Sequence, residues 1–257
     1  MRIATWNVNS LKIRLPHLLQ WLASHQPDVM CLQETKLENG AFPAAEIASA
    51  GYAASFSGQK TYNGVAVLSR TPASDVVTAL PGMDTPHKRL LAATIARVRY
   101  VCVYVPNGES PTSEKYGFKL AWLAALRDWL REELKRHPRL AVLGDYNIAP
   151  EDRDVHDPKA WEGRIHFSEP EKAALRELYA LGLTDAFRLF EQPAGSFTWW
   201  DYRMNAFRRK MGLRIDHILL SPALAAACTA CAIDVEPRRL ERPSDHAPVF
   251  ADLTIGE

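Results

Sequence analysis

The stretch "LAATIARVRYVCVYVP", Leu91 to Pro106, decides the fold class. It contains two apolar runs, "LAATIARV" and "YVCVYVP", which have the composition of strands and leave no room for a helix between them. The run "GVAVLSR" (Gly64 to Arg70) precedes them, so the block from Tyr52 to Pro106 holds several strands in direct succession. Hairpin-linked strands predict a mixed α/β layered domain and argue against a strictly alternating Rossmann or barrel order.

The rest of the chain shows both helical and strand-like patterns. Apolar residues at spacings of three and four predict helices at Leu15–Ser24, Ala44–Ala50, Ser113–Lys135 and Glu171–Leu181. Further strands are predicted at "IATWNV", "VMCLQE", "LAVLGD", "RIDHILLS" and "APVFADL". Because 257 residues with 47% hydrophobic content can bury one large core, we expect a single domain over residues 1–257.

Composition excludes several classes of protein. The chain has no apolar run of 18 residues and does not begin with the pattern of a signal peptide, which predicts a soluble cytoplasmic protein without membrane association. Four cysteines in apolar segments are too few for a disulfide scaffold, and the C-x-x-C at Cys228–Cys231 has no partner ligands for zinc. Nothing in the sequence demands more than a monomer.

Charge is distributed unevenly, although the net charge is only +1. The window from Tyr202 to Arg214 holds five cations and no acid, and it follows the aromatic run "FTWWDY". Cations beside flat aromatic faces suit nucleic acid, whereas a solvated loop is the alternative interpretation.

The stretch "LGDYNIAP" (Leu143 to Pro150) ends an apolar strand with two polar residues, Asp145 and Asn147. Side chains two residues apart on an extended chain project the same way, which would place both at one strand end. The alternative is an Asx turn, in which these residues bond only their own backbone.

Other predicted strands end or begin with the same kinds of residue, namely Asn7, Glu34, Asp216 and the pair Asp245–His246. Layered α/β folds collect ligands at strand ends, and carboxylate and amide oxygens suit Mg²⁺. A histidine with neighbouring aspartates is a common acid–base pairing. If these groups converge, their chemistry fits metal-assisted hydrolysis of phosphate esters.

The motifs "TWNVNSL", "LQETK", "YNGVAVLSR", "YVPNGES", "LGDYNIAP", "GLRIDHIL" and "PSDHAPV" occur in that order. They resemble the exonuclease III family of DNA repair nucleases, within the endonuclease/exonuclease/phosphatase superfamily, from Arg2 to about Leu253. The resemblance implies a four-layered α/β sandwich of two packed mixed β-sheets flanked by helices. It also implies a hydrolase that uses Mg²⁺, with Mn²⁺ as a substitute, on double-stranded DNA with 3′ ends, nicks or baseless sites.

The resemblance further implies roles for the residues around the metal. Glu34 would hold the metal, with Asn7 and Asp245 close by. Asp145 would orient or deprotonate the attacking water, and Asn147 would assist it by hydrogen bonding.

The remaining motif residues would act on the phosphate. His246 would contact the scissile phosphate, and Asp216 would fix its ring. Tyr104 would donate to the phosphate or help the leaving oxygen, with support from Asn107.

Residues for substrate binding are implied in the same way. Trp199 corresponds to the aromatic residue of the sugar pocket, Leu213 and Ile215 flank Asp216 at pocket positions, and Trp200 would be a packed partner. Arg203, Lys60 and the basic run after Tyr202 would contact backbone phosphates without regard to sequence.

His166, in the long loop from Ile148 to Pro170, departs from the family pattern. Members that cut at baseless sites tend to have a small residue there. An imidazole would crowd an extruded baseless sugar, whereas a fraying duplex end needs no forced extrusion. The alternative is an exposed loop histidine without a role.

Three functions follow as expectations. The first is a nuclease that trims 3′ ends and removes 3′ phosphates or other blocks, and in which His166 reduces incision at baseless sites. The alternative within this class is a nuclease whose main activity is incision at baseless sites. The second is a phosphodiesterase of the same superfamily that acts on lipid head groups. The third is a catalytically silent RNA-binding regulator, which the intact set of polar motif residues disfavours.

Overall fold

The protein is described by a computed structural model that covers residues 1–255. The predicted domain extends to residue 257, and residues 256 and 257 lie outside the described part. The first sheet consists of β1 (Arg2–Asn7), β2 (Val29–Gln33), β3 (Ala53–Ser57), β4 (Val65–Ser69), β11 (Cys228–Ile233) and β12 (Val249–Leu253). The second consists of β5 (Ser74–Val77), β6 (Leu90–Ile95), β7 (Val98–Tyr104), β8 (Leu140–Asp145), β9 (Thr184–Asp185) and β10 (Asp216–Leu220). The helices are α1 (Leu11–His25), α2 (Ala44–Ser49), α3 (Glu114–Arg136), α4 (Pro158–Trp161), α5 (Glu169–Tyr179) and α6 (Pro222–Ala225).

Both sheets are mixed. The first has the order β11-β12-β1-β2-β4-β3 and the second β5-β6-β7-β8-β10-β9. Each contains one parallel pair, β1–β2 or β7–β8, among antiparallel neighbours. The opening stretch forms the β6–β7 hairpin, whose two turn residues, Ala96 and Arg97, have φ of 47° and 64°. Positive φ at both positions is the turn geometry that matches the twist of paired strands.

The sheets pack face to face, and helices cover their outer faces. The inter-sheet core contains Cys31 and Cys102, both fully buried. α1 packs on the first sheet, and α3 and α5 pack on the second. The predicted four-layered sandwich of two mixed sheets is therefore confirmed. Within residues 1–255, no helix combines the length and apolarity needed to cross a membrane.

Candidate active site

Polar side chains from both sheets meet at one edge of the sandwich. Asn7 ends β1, and its Nδ2 donates to Glu34 Oε1 and Asp145 Oδ2, both at 2.9 Å. In the second sheet, Asp216 lies opposite Asp145 in the β8–β10 pair, and Tyr104 lies beside Asp145 in the β7–β8 pair. The site is thus assembled from the ends of strands in both sheets.

In the "LGDYNIAP" stretch, Asp145 both forms an Asx turn with its own backbone and faces the site. Asn147 N donates to Asp145 Oδ1 at 2.8 Å, which is an Asx turn, while Asp145 Oδ2 faces Asn7 in the site. Asn147 has a φ of 52°, so the extended-chain reason for its placement was wrong. Gly144 is required because a Cβ at this position would come within 1.9 Å of the carbonyl oxygen of Val103 on β7.

One cluster of donors could hold a metal ion. Glu34, Asp145 and His246 each offer a ligand atom, and these atoms lie within 4.8 Å of one another. Two of the three are carboxylates, which fit a hard divalent cation. Glu34 Oε2 also pairs with Lys36 Nζ at 2.9 Å. The residues present therefore fit the metal that the strand-end pattern predicted.

Asp245 was expected near the metal, but it lies outside this cluster. Its Oδ1 accepts from Asn9 Nδ2 at 2.8 Å, and its Oδ2 accepts from Trp199 Nε1 at 3.0 Å. Asp245 therefore connects the end of β1 to the predicted sugar-pocket tryptophan.

His246 and Asp216 form a buried pair beside the cluster. His246 Nδ1 and Asp216 Oδ2 are 2.9 Å apart, and His246 Nε2 lies 3.8 Å from Asp145 Oδ2. Burial alone would lower the pKa of His246, but the carboxylates of Asp216 and Asp145 outweigh it and raise the pKa to about 10. His246 is therefore a cation at neutral pH, with its ring fixed by Asp216.

Burial has the opposite effect on the pKa of Asp145, because the charged form of a carboxyl group is the deprotonated one. It raises the pKa of Asp145 to about 7, although the nearby His246 opposes this rise. A carboxyl group that titrates near neutral pH is suited to accept a proton during turnover.

Tyr104 and Arg89 lie together at the second-sheet side of the site. Burial and the charge of Glu34 raise the pKa of Tyr104 well above its ordinary value, so the phenol keeps its proton at neutral pH. The Arg89 guanidinium lies 4.6 Å from the Tyr104 ring centroid, and Arg89 Nε is buried without a hydrogen-bond partner among the described residues. Arg89 also borders a cavity of about 570 Å³ that reaches Asn107. The motif analysis missed Arg89, because its proximity to Tyr104 depends on the β6–β7 pairing.

His166 is buried in the site, so the interpretation as an exposed loop residue was wrong. Its Nδ1 lies 2.8 Å from the Asn147 carbonyl oxygen, and its Nε2 lies 3.4 Å from Asn107 Nδ2. Burial and the Lys119 charge lower its pKa to about 4, so the ring is neutral and donates through Nδ1–H. Its φ of 72° is in the left-handed region that favours glycine.

Two aromatic rings, those of Trp161 and Trp199, lie beside the His166 ring. The centroids of the His166 and Trp199 rings are 6.1 Å apart, and Trp199 packs in the same cluster as Leu213 and Ile215. Trp200 is buried, as predicted for the packed partner, and Trp199 is half-buried where an exposed side chain was expected. The structure therefore brings the pocket residues together next to His166.

The predicted phosphate contacts separate into two groups. Lys60 and Arg203 are exposed, and Arg203 forms an ion pair with Asp201 at 2.6 Å. Arg214, counted with the basic run, is buried and pairs instead with Asp154 at 2.6 Å and Asp185 at 2.8 Å. The prediction that Arg214 is a surface cation was wrong, because its side chain is buried in the segment that leads into β10.

A two-sheet α/β sandwich with a carboxylate cluster and a charged histidine at its strand ends defines a class of phosphate-ester hydrolases. The sequence pattern of the Endonuclease/Exonuclease/phosphatase family matches residues 4–246. Exodeoxyribonuclease III of Haemophilus influenzae is 35% identical over 98% of this chain and 100% of its own. The chain belongs to this family and to its exonuclease III branch.

Two solved structures extend the comparison. The 3′ phosphatase NExo from Neisseria, bound to a product DNA hairpin, has a TM-score of 0.98 and 49% identity, covering 99% of this chain and 100% of its own. An AP endonuclease from Archaeoglobus fulgidus has a TM-score of 0.96 and 39% identity with the same coverage.

Proposed function

We propose that this protein is a metal-dependent DNA repair nuclease that hydrolyses phosphate esters at the 3′ ends of duplex DNA. The 3′→5′ exonuclease and 3′-phosphatase or 3′-phosphodiesterase activities would share one site, and the whole chain would act as a single monomeric domain. The observation that carries the proposal is the buried His166 in the predicted sugar pocket, in a chain that is 49% identical to a DNA-bound 3′ phosphatase.

We assign Mg²⁺, with Mn²⁺ as a substitute, to Glu34 in this cluster; Asp145 is reserved for the proton of the attacking water, and a protonated His246 has no free lone pair to bind a metal. Magnesium prefers carboxylate oxygens and retains water and phosphate oxygens as its other ligands. When bound, the ion would offset the negative charge of the phosphate. Asn7 would hold the two carboxylates in register through its two hydrogen bonds.

Asp145 would accept the proton of the attacking water. Its Oδ1 is held by the backbone of Asn147, which leaves Oδ2 directed into the site. On the phosphate, the cationic His246 would stabilise the charge that develops as the new bond forms, with Asp216 as its orienting partner. Tyr104, which keeps its proton, would donate a hydrogen bond to the phosphate or to the leaving oxygen.

Substrate selection would depend on the pocket formed by His166, Trp199 and Asn107. A terminal sugar frays into such a pocket more easily than an internal baseless sugar, which must be extruded past the imidazole. Backbone phosphates would lie along Lys60, Arg89 and Arg203 through contacts that weaken with salt. The alternative function is a nuclease whose main activity is incision at internal baseless sites. The likeness to the Archaeoglobus AP endonuclease supports it.

Three labelled duplexes test the proposal: one with a 3′ phosphate, one with a recessed 3′ hydroxyl and one with an internal baseless site. With Mg²⁺ we expect release of phosphate and of terminal nucleotides to exceed incision, and we expect a chelator to abolish all three reactions. Activity that survives the chelator contradicts the metal assignment.

Asp145→Asn tests the proton acceptor. A missing general base lowers kcat by about 10²- to 10⁴-fold, whereas the exposed loop variant Asp152→Asn should keep native turnover. An Asp145→Asn variant with native kcat contradicts the assigned role.

A further inference from the structure

A fully buried ion pair lies directly beneath the substrate-facing side chains. Lys119 extends from α3 and Glu171 from α5, and both side chains are 0% exposed, with Lys119 Nζ 2.5 Å from Glu171 Oε1. The Lys119 stem passes Gly108, where a Cβ would come within 3.1 Å of Lys119 Cδ. Neither charged group faces solvent, so the pair contributes nothing to a surface that DNA could contact.

Each charge of this pair binds backbone groups of the pocket. Lys119 Nζ donates to the carbonyl oxygens of Asn147 at 2.7 Å and of Asn107 at 3.1 Å. Glu171 Oε1 accepts from His166 N at 3.1 Å. One ion pair therefore joins three chain segments that are far apart in sequence.

The side chains of those same three residues lie close to one another. Asn107 Nδ2 lies 3.3 Å from Asn147 Oδ1 and 3.4 Å from His166 Nε2. His166 Nδ1–H donates to the carbonyl oxygen of Asn147 that Lys119 also binds. The two charges thus contact the backbone of the same three residues whose side chains meet.

Stability alone gives no reason for this arrangement. Apolar residues of similar volume in place of a buried ion pair are often neutral or stabilising, because two charges need not be desolvated. A second buried pair, Arg99–Glu133, joins β7 to the other end of α3 at 2.7 Å and contacts none of the three pocket residues. The molecule therefore supplies a matched comparison between two buried pairs on one helix.

We propose that Lys119 and Glu171 are positioning residues that fix the distances among Asn107, Asn147 and His166, and so the shape of the pocket beside the cleaved phosphate. The proposal rests on the proposed function, because it assigns that pocket to the sugar of a DNA end. Lys119 and Glu171 do not touch substrate; they act through the backbone of residues that do.

The test removes both charges together, since a single substitution would leave one buried charge unpaired. In Lys119→Met/Glu171→Leu, we expect kcat for 3′-phosphate release to fall by roughly 10- to 100-fold through misplacement of the pocket groups. The KM should change little, because the exposed phosphate contacts are intact. The control Arg99→Met/Glu133→Leu should keep native kcat, even if its melting temperature falls.

A spectroscopic measurement separates positioning from general loosening. The ¹⁵N shifts of His166 should report an Nδ1–H tautomer in the native protein and a mixture of tautomers in Lys119→Met/Glu171→Leu, with the native tautomer in the control. Native kcat in that variant, an equal kcat loss in both double variants, or an unchanged His166 tautomer would each overturn the proposal.

If Lys119→Met/Glu171→Leu does not fold, Glu171→Gln decides instead. Its amide oxygen can still accept from Lys119 Nζ, so the buried ammonium keeps a hydrogen-bond partner, whereas its amide nitrogen would replace the oxygen that accepts from Ser168 N; the losses of kcat and of the His166 tautomer should therefore be smaller. A native protein without activity on any DNA end would refute the proposed function, and the ¹⁵N comparison would still decide the positioning role.

Discussion

Replacing His166 by glycine tests the link between pocket shape and choice of lesion. In the proposed pocket, an internal baseless sugar would have to enter the space that the imidazole occupies, and the ring would have to swing aside. That movement breaks the bond from His166 Nδ1–H to the Asn147 carbonyl oxygen, 2.8 Å long, and takes the ring out of its position next to Trp199.

The cost of displacement sets the expected effect. A buried neutral hydrogen bond is worth about 1 kcal/mol, and a side chain held away from its preferred rotamer costs about 1 kcal/mol more. Because 1.4 kcal/mol corresponds to a tenfold rate, removing a barrier of about 2 kcal/mol should speed incision roughly 30-fold. Stability should fall, because glycine relieves about 1 kcal/mol of left-handed strain at φ 72° but loses both the hydrogen bond and the packing of the buried ring.

The assay compares kcat/KM for incision at an internal baseless site with kcat/KM for 3′-phosphate release. We expect His166→Gly to raise the first and to lower the second, because Asn107 and Asn147 lose the ring contacts that help to position them for release of a 3′ phosphate. His156→Ala is the matched control, because this histidine belongs to the same loop and contacts Trp161 but not Asn147. A folded His166→Gly protein whose incision does not rise would refute the steric reasoning.

Three further predictions concern charge. Asp216→Asn removes the carboxylate that does most to raise the pKa of His246, so the alkaline fall in kcat should move to lower pH. In the native protein, the charged His246 stabilises the fold fully below about pH 6.5, and this stabilisation is lost as the pH rises towards 10. Urea unfolding at several pH values should show a smaller stabilisation in Asp216→Asn. Glu34→Gln should weaken Mg²⁺ binding in titration calorimetry, and unchanged affinity would remove Glu34 from the metal site. Arg214→Met leaves the buried Asp185 without its arginine partner and Asp154 with Arg188 alone, and it should cost about 3–5 kcal/mol of unfolding free energy. The exposed Arg209→Met should cost almost nothing.

The sequence predicted the centre of each sheet but not its edges. The four strands missing from the sequence-based prediction, β3, β5, β9 and β11, are the four edge strands. β5 is largely exposed and β9 has only two residues, so neither carries the apolar run that marks a buried strand. Helix α5 begins two residues earlier than predicted because Pro170 fits the first turn, where no backbone donor is needed.

In the candidate site, the motifs identified which side chains meet but not how they are held. Asn7, Glu34, Asp145 and Asp216 could be anticipated because each adjoins a strand end. Lys119 could not, because only the packing of α3 against α5 reveals the partner that lies 52 residues away. The S-x-x-E sequence that contains Glu171 predicts a helix cap, and the structure has this cap. A cap does not, however, imply that Glu171 also pairs with Lys119.

The division of the site between two sheets affects when the protein first becomes able to cut DNA. His246 lies just before β12, and β12 pairs with β1, the strand that ends in Asn7. During synthesis, the segment that completes the first sheet and supplies the cationic histidine is therefore made after the segments that carry Glu34 and Asp145. A chain truncated before His246 would hold Glu34 and Asp145 without the histidine, so we expect cleavage of DNA to require that the first sheet has closed.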